Sequence, residues 1–164
     1  MEIKPVSDRM FALIVLYDMH TTFFSSALDG ISDQDAHNRL NTEANHVAWL
    51  TGSLVQQRFE IANTLGMDRK QPADELFKDN KGIQDNITYP PLAEFKKAWE
   101  SVSPILRDAF ANVDDDKLDS PFEITGMKMT YFDMITFIIY REANIIGQIA
   151  LWRRLLGLEA MKYM

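Results

Sequence analysis

The chain has 164 residues, 46% of them hydrophobic and 25% charged, with a formal net charge of −7 and no cysteine. That composition describes a single domain over residues 1–164, large enough to bury a core without disulfides or a structural metal, and its acidic balance works against nucleic-acid backbones. The missing cysteine excludes disulfides, thiolate zinc sites and a thiol nucleophile, and fits a reducing cytoplasm, the expected location.

The first residues, Met1-Glu2-Ile3-Lys4-Pro5, carry an early acidic residue. The apolar run from Phe11 to Tyr17 is short for a secretory leader and lacks a small-residue cleavage site after it. Met10, Ile14, Tyr17, Thr21, Phe24, Leu28 and Ile31 alternate spacings of four and three, which predicts a first helix from about Ser7 to Leu28. Ser7-Asp8 offers an N-cap, and Gly30 with Ser32-Asp33 marks the end. A polar connection follows, with a helical turn expected near Asp33 to Asn38.

The second helix is expected from Thr42 or Asn45 to Gly66, with Val47, Leu50, Leu54, Ile61 and Leu65 on its apolar face. Residues 67–90 read as irregular, and a connection of that length is usually functional or docked on the surface. It also leaves the second and third helices free not to be neighbours. Pro90-Pro91 opens the third helix, whose stripe is Leu92, Phe95, Trp99, Val102, Leu106 and Phe110. Asp114-Asp115-Asp116 reads as a turn or short helix start, without the glycine and terminal glutamate of a calcium loop. Residues 122–129 read as an extended segment, with no strand pattern that supports a sheet.

The fourth helix is expected from Thr130 to Leu156, stopped by Gly157. Its most apolar stretch, Met134 to Trp152, is interrupted by Arg141, Glu142, Asn144 and Gln148, which favours a buried central helix over a membrane span. Lys96-Lys97 and Arg153-Arg154 are expected on solvated helix faces. Four helices with one long crossover give an all-α fold, a four-helix bundle.

Several segments carry a family likeness. Tyr17-Asp18 and Leu28 to Asp33 end the first helix; Asn45 to Leu54 begins the second, with Arg58 five places beyond Ser53. Tyr89-Pro90-Pro91-Leu92 through Trp99 enters the third; Glu142-Ala143 and Gly147 to Ala150, then Arg153 to Gly157, close the fourth. In order and spacing, over nearly the whole chain, they resemble the DinB family. The resemblance implies a DinB-like four-helix bundle with a long crossover between helices two and three, frequently a homodimer. Family members with three histidines bind a divalent metal. Relatives include thiol-dependent transferases or isomerases, hydrolases inferred to be metal-dependent, and many proteins with no known activity.

In this chain the three histidine positions read Ser53, Arg141 and Ile145. A serine is a weak ligand, a guanidinium keeps its proton, and isoleucine has no donor atom, so no metal centre and no cofactor are expected there. Arg141 then replaces a metal's positive charge. It pairs internally with Glu60, Glu142 or Asp18, or it binds the carboxylate or phosphate of a small anionic ligand through its planar fork. Gln148, seven residues on, extends Arg141 into a polar line, and Gln56, Gln57 and Glu60 form another on the second helix. Facing each other, the two lines make either a closed network or a pocket.

Of the three histidines, His20 lies near the first stripe, His37 in the polar connection, and His46 seven residues before Ser53. An enzyme of the same superfamily with a relocated site would use His20 or His46 with a carboxylate. A structural homodimer would instead carry Trp152 and Met134 into its interface. The leading expectation is a catalytically diverged domain with its ligand site near Arg141.

Overall fold

The computed structural model describes residues 4–124 and 126–163. Met1-Glu2-Ile3 and Thr125 of the extended segment lie outside the described residues. The chain is mostly helical: α1 (Met10–Leu28), α2 (Asp33–Ala36), α3 (Val47–Thr64), α4 (Asp74–Phe77), α5 (Leu92–Asn112), α6 (Asp115–Asp119) and α7 (Tyr131–Leu155). A short antiparallel hairpin, β1 (Pro121–Ile124) and β2 (Met127–Thr130), precedes α7, with Phe122 opposite Met129.

Each of the four long helices packs against two others: α1 and α3 both contact α5 and α7. The stripes expected on α1 and α5 are the faces they bury. Met10, Phe24, Leu106 and Phe110 are fully enclosed, each such side chain contributing about 1.5–3 kcal/mol of transfer free energy. α1 and α7 run in the same direction. Arg9 lies over the Phe132 ring near their starts, and Arg153 donates to the carbonyl of Ala27 near their ends.

The helix ends follow from capping chemistry. Thr130 and Asp133 form a capping box at the start of α7, each satisfying the other's backbone N–H. Asp33 accepts the Leu92 N–H at 2.8 Å, so α2 caps α5 after its two prolines. Asp114 caps α6, so the acidic run is a helix start. Gly30, Gly66 and Gly157 take the left-handed backbone at helix ends (φ +75°, +99° and +84°).

Several expectations need correction. Ser7 does not cap α1; it accepts the Arg9 N–H and donates to Asp115. Among the described residues, β1 and β2 do form a two-stranded sheet. α3 and α5 are direct neighbours, a packing that the long connection leaves open rather than excludes. Arg153 is buried rather than solvated, and its guanidinium binds the carbonyls of Ala27 and Asp29 at the end of α1. Trp152 and Met134 face inward, 5% and 8% exposed, with the indole N–H on the Asn45 carbonyl, so they are not available to a partner. By length and composition alone α1 and α7 are apolar enough to cross a membrane.

The crossover is tied to α3. Gln71 donates to Gln56, and Gln56 donates to Asp74 at the start of α4. Phe77 packs over Gly52, where any side chain would collide with its ring. Asp79 and Asn80 both adopt left-handed backbone (φ 58° and 56°), which asparagine and aspartate tolerate better than most residues.

Candidate functional site

Between α3, α7, the hairpin and the crossover lies a cavity of about 420 Å³. Ser53, Gln57 and Glu60 line it from α3, Arg141 and Phe137 from α7, Phe122 and Glu123 from the hairpin, and Phe77, Asn80 and Lys81 from the crossover. Residues 53, 57 and 60 share one helix face because three- and four-residue steps return to the same side of a helix. Arg141 reaches across from α7. Its Nη1 donates to Gln57 Oε1 and its Nη2 to Ser53 Oγ, each at 2.6 Å.

Both acceptors are neutral. Among the described residues no carboxylate lies within ion-pair distance of Arg141. Glu142 is taken by Arg58, and Asp18 is held by Arg107 through bonds of 2.7 and 2.8 Å. Burial lowers the pKa of Arg141, while Glu60 and Glu142 act at longer range to raise it. An arginine has no route to neutrality at ordinary pH, so this half-buried charge stays in place. Glu60 stands at the cavity rim. Partial burial raises its carboxyl pKa, and Asp74 adds to that, against a hydrogen bond from Gln56.

The structure thus brings together four of the predicted residues, Ser53, Gln57, Glu60 and Arg141. It leaves three outside. Gln148 is exposed and donates to Asn144. His46 caps α3, accepting the Trp49 N–H at Nδ1, and sits against His37 and Tyr89. His20 is in the core, its Nδ1 3.3 Å from Glu142 Oε2 but out of hydrogen-bond alignment. His20 and His46 therefore belong to separate groups of side chains, and a relocated site built on both is not what the fold assembles. Among the described residues no three histidine or acidic side chains converge on a point. The metal of the DinB resemblance does not fit either. Arg141 and Ser53 are hydrogen-bonded to each other where ligands would stand, and Ile145 is buried without a donor atom.

The chain matches no protein-family model and no curated protein.

Beneath the cavity lies a second polar group, Arg58 with Glu142. Arg58 and Glu142, both with fully buried side chains, form a two-pronged ion pair at 2.7 and 2.8 Å. The same guanidinium donates to Thr21 and Ser103. Its planar face lies 3.3 Å from the Trp99 ring centre and 3.9 Å from that of Tyr17. One side chain of α3 thereby touches α1, α5 and α7. Burial alone would raise the Glu142 pKa; the charge and hydrogen bonds of Arg58 outweigh it and hold it below the ordinary carboxylate value. A signal for this pair exists in the sequence. Arg58 fills the gap in the stripe Leu54-x₃-Arg58-x₂-Ile61, and Glu142 fills the gap in Ile138-x₃-Glu142-x₂-Ile145. Opposite charges in two apolar stripes point to a buried pair.

Proposed function

We propose that this chain is a DinB-like domain, a four-helix bundle without the family's metal centre, that binds a small anionic ligand at Arg141. The observation that carries the reading is a half-buried guanidinium facing a cavity with only neutral acceptors on it. Burying an uncompensated charge is costly, and a ligand carboxylate supplies the missing partner. The family reading draws support from Ser53 and Arg141, which stand at two ligand positions of the resemblance and meet across α3 and α7. Residues 141 and 145 share a helix face, as a pair of metal-binding histidines must. The domain acts as a binding module rather than an enzyme, in the cytoplasm.

One pair of titrations tests both parts. Wild-type protein is expected to bind 3-phenylpropionate and to take up no stoichiometric zinc. The triple variant Ser53→His, Arg141→His, Ile145→His is expected to reverse this, taking one zinc and losing the acid. No acid binding by the wild type sinks the ligand reading, and no zinc binding by a folded triple variant sinks the DinB-type site geometry.

A second reading, compatible with the first, is homodimerisation. Phe11, Val15, Leu16 and Met19 on α1, with Tyr140 and Leu151 on α7, are 41–65% exposed on the outer sides of two helices that pack together. Six half-exposed side chains of this size leave roughly 600 Å² uncovered, close to the roughly 800 Å² per partner of a standard interface. We propose a second copy as the occupant. Sedimentation equilibrium is expected to give a dimer that Leu16→Glu with Tyr140→Glu converts to monomer. A wild-type monomer that floats with lipid vesicles would identify a membrane face instead.

A further inference from the structure

Four charged side chains line the cavity, Arg141, Lys81, Glu60 and Glu123, and of these Arg141 and Glu60 stand on the same wall without being joined. Arg141 is fixed over residues 53 and 57 by its two hydrogen bonds, and Glu60 stands one turn further along α3 on the same face. Both line the one cavity, yet they are not within ion-pair distance of each other. Glu60 accepts a hydrogen bond only from the neutral amide of Gln56, among the described residues. Each group thus faces the cavity without a counter-ion, and Glu60 lies about 4.5 Å of helix rise beyond Gln57, one of the two residues that hold Arg141.

Much of the remaining wall is apolar and aromatic. Trp49, Phe77, Met134, Phe137 and Ile138 surround the space, and its volume of about 420 Å³ falls in the range of small-molecule sites. A dianion such as phosphate is a poor fit, since Lys81, the second cation of the lining, is engaged by the Glu75 carbonyl, while Glu60 and Glu123 put two carboxylates in the same wall. A plain carboxylic acid satisfies Arg141 but brings its negative charge towards Glu60. A ligand carrying an ammonium next to its carboxylate removes that repulsion and completes both groups at once.

We infer that the anion bound at Arg141 is the carboxylate of a free apolar α-amino acid, with its ammonium on Glu60 and its side chain among Trp49, Phe77 and Phe137. The inference rests on the anion-binding reading of Arg141 and narrows it to a zwitterion. Arg141 supplies the carboxylate fork, Glu60 recognises the ammonium, and the aromatic wall selects against small polar side chains. No bond is made or broken in this step.

The test is calorimetric titration of the whole chain with L-phenylalanine and its two single-charge analogues, 3-phenylpropionate and phenethylamine. Phenylalanine is expected to bind about tenfold or more tightly than either, the value of one charge-assisted hydrogen-bonded contact. Glu60→Gln is expected to erase the preference for phenylalanine over phenylpropionate while leaving phenylpropionate binding in place. Arg141→Gln is expected to abolish binding of both. Because Glu60 is exposed at the rim, its variant keeps the test decisive even where Arg141→Gln does not fold. Phenylpropionate binding as tightly as phenylalanine overturns the zwitterion and leaves the anion site standing. Phenethylamine binding as tightly as phenylalanine, or no binding by any of the three, overturns both.

Discussion

Glu142→Gln is expected to cost about 3–5 kcal/mol of folding stability, the usual result of stranding one partner of a buried ion pair. The size follows from what Arg58 touches. Its guanidinium sits between the rings of Trp99 and Tyr17, donates to Thr21 and Ser103, and relies on Glu142 for its only countercharge within ion-pair distance among the described residues. Glutamine keeps the volume but leaves the positive charge enclosed. The double change Arg58→Met with Glu142→Leu is expected to be more stable than Glu142→Gln alone, because no charge is stranded. Thr21 and Ser103 tolerate the double change, since each still donates to a carbonyl of its own helix, Tyr17 and Trp99 respectively. Urea unfolding of the three proteins settles the matter; a loss below about 1 kcal/mol for Glu142→Gln would place the pair among ordinary surface contacts.

The pair also sets an acid limit. Glu142 has a folded-state pKa below its unfolded value, so it contributes stability above that unfolded value and loses it as pH falls through the folded one.

The difference between the two polar layers explains how much the sequence discloses. The long helices are legible because each repeats apolar residues at three and four, and the structure buries those same stripes on α1 and α5. The cavity is legible because 53, 57 and 60 recur on one face of α3, with Arg141 opposite on α7. Arg58 and Glu142 each sit one residue beyond a cavity group, Gln57 and Arg141. One residue is a rotation of about 100° on a helix, enough to turn a side chain from cavity to core. Runs of adjacent polar residues do not say which member turns inward; only the interrupted apolar stripe does. Gln148 shows the opposite error. Seven residues from Arg141 it shares the nominal line, but it lies in solvent with Asn144. The hairpin and the docked crossover are less legible still, because four-residue strands and single-turn helices are too short for any period to repeat. Their placement depends on tertiary contacts such as Phe77 over Gly52.

The second large effect is a loss of stability between about pH 6.5 and 4, centred on His46. This residue is 6% exposed and caps α3 by accepting the Trp49 N–H at Nδ1, a role that needs an unprotonated nitrogen. Burial, then the neighbouring His37 and Arg39, lower its pKa to about 4. His37 is itself committed, with Nδ1 on the Asp33 carbonyl and Nε2 accepting the Tyr89 N–H, and Arg39 is paired to Asp85. An unfolded chain protonates this histidine near 6.5, the folded chain only near 4. Below 6.5 the unfolded state therefore binds the extra proton, and stability falls with pH until the folded state binds it too. The span of about 2.5 units corresponds to about 3 kcal/mol. His46→Asn keeps a capping acceptor and removes the titration, so its stability is expected to stay nearly level from pH 6.5 to 5 while the wild type declines. Equal slopes would show that His46 is not the titrating group. The consequence reaches the cavity through the chain. His37 holds Tyr89, Tyr89 holds the Gln84 N–H, and Asp33 holds the start of α5, so this cluster anchors one end of the crossover. Phe77, Asn80 and Lys81 of that crossover form a cavity wall. Because the folded chain protonates His46 only near 4, ligand affinity at Arg141 is expected to hold from pH 6.5 down towards 4 and to weaken below that in the wild type.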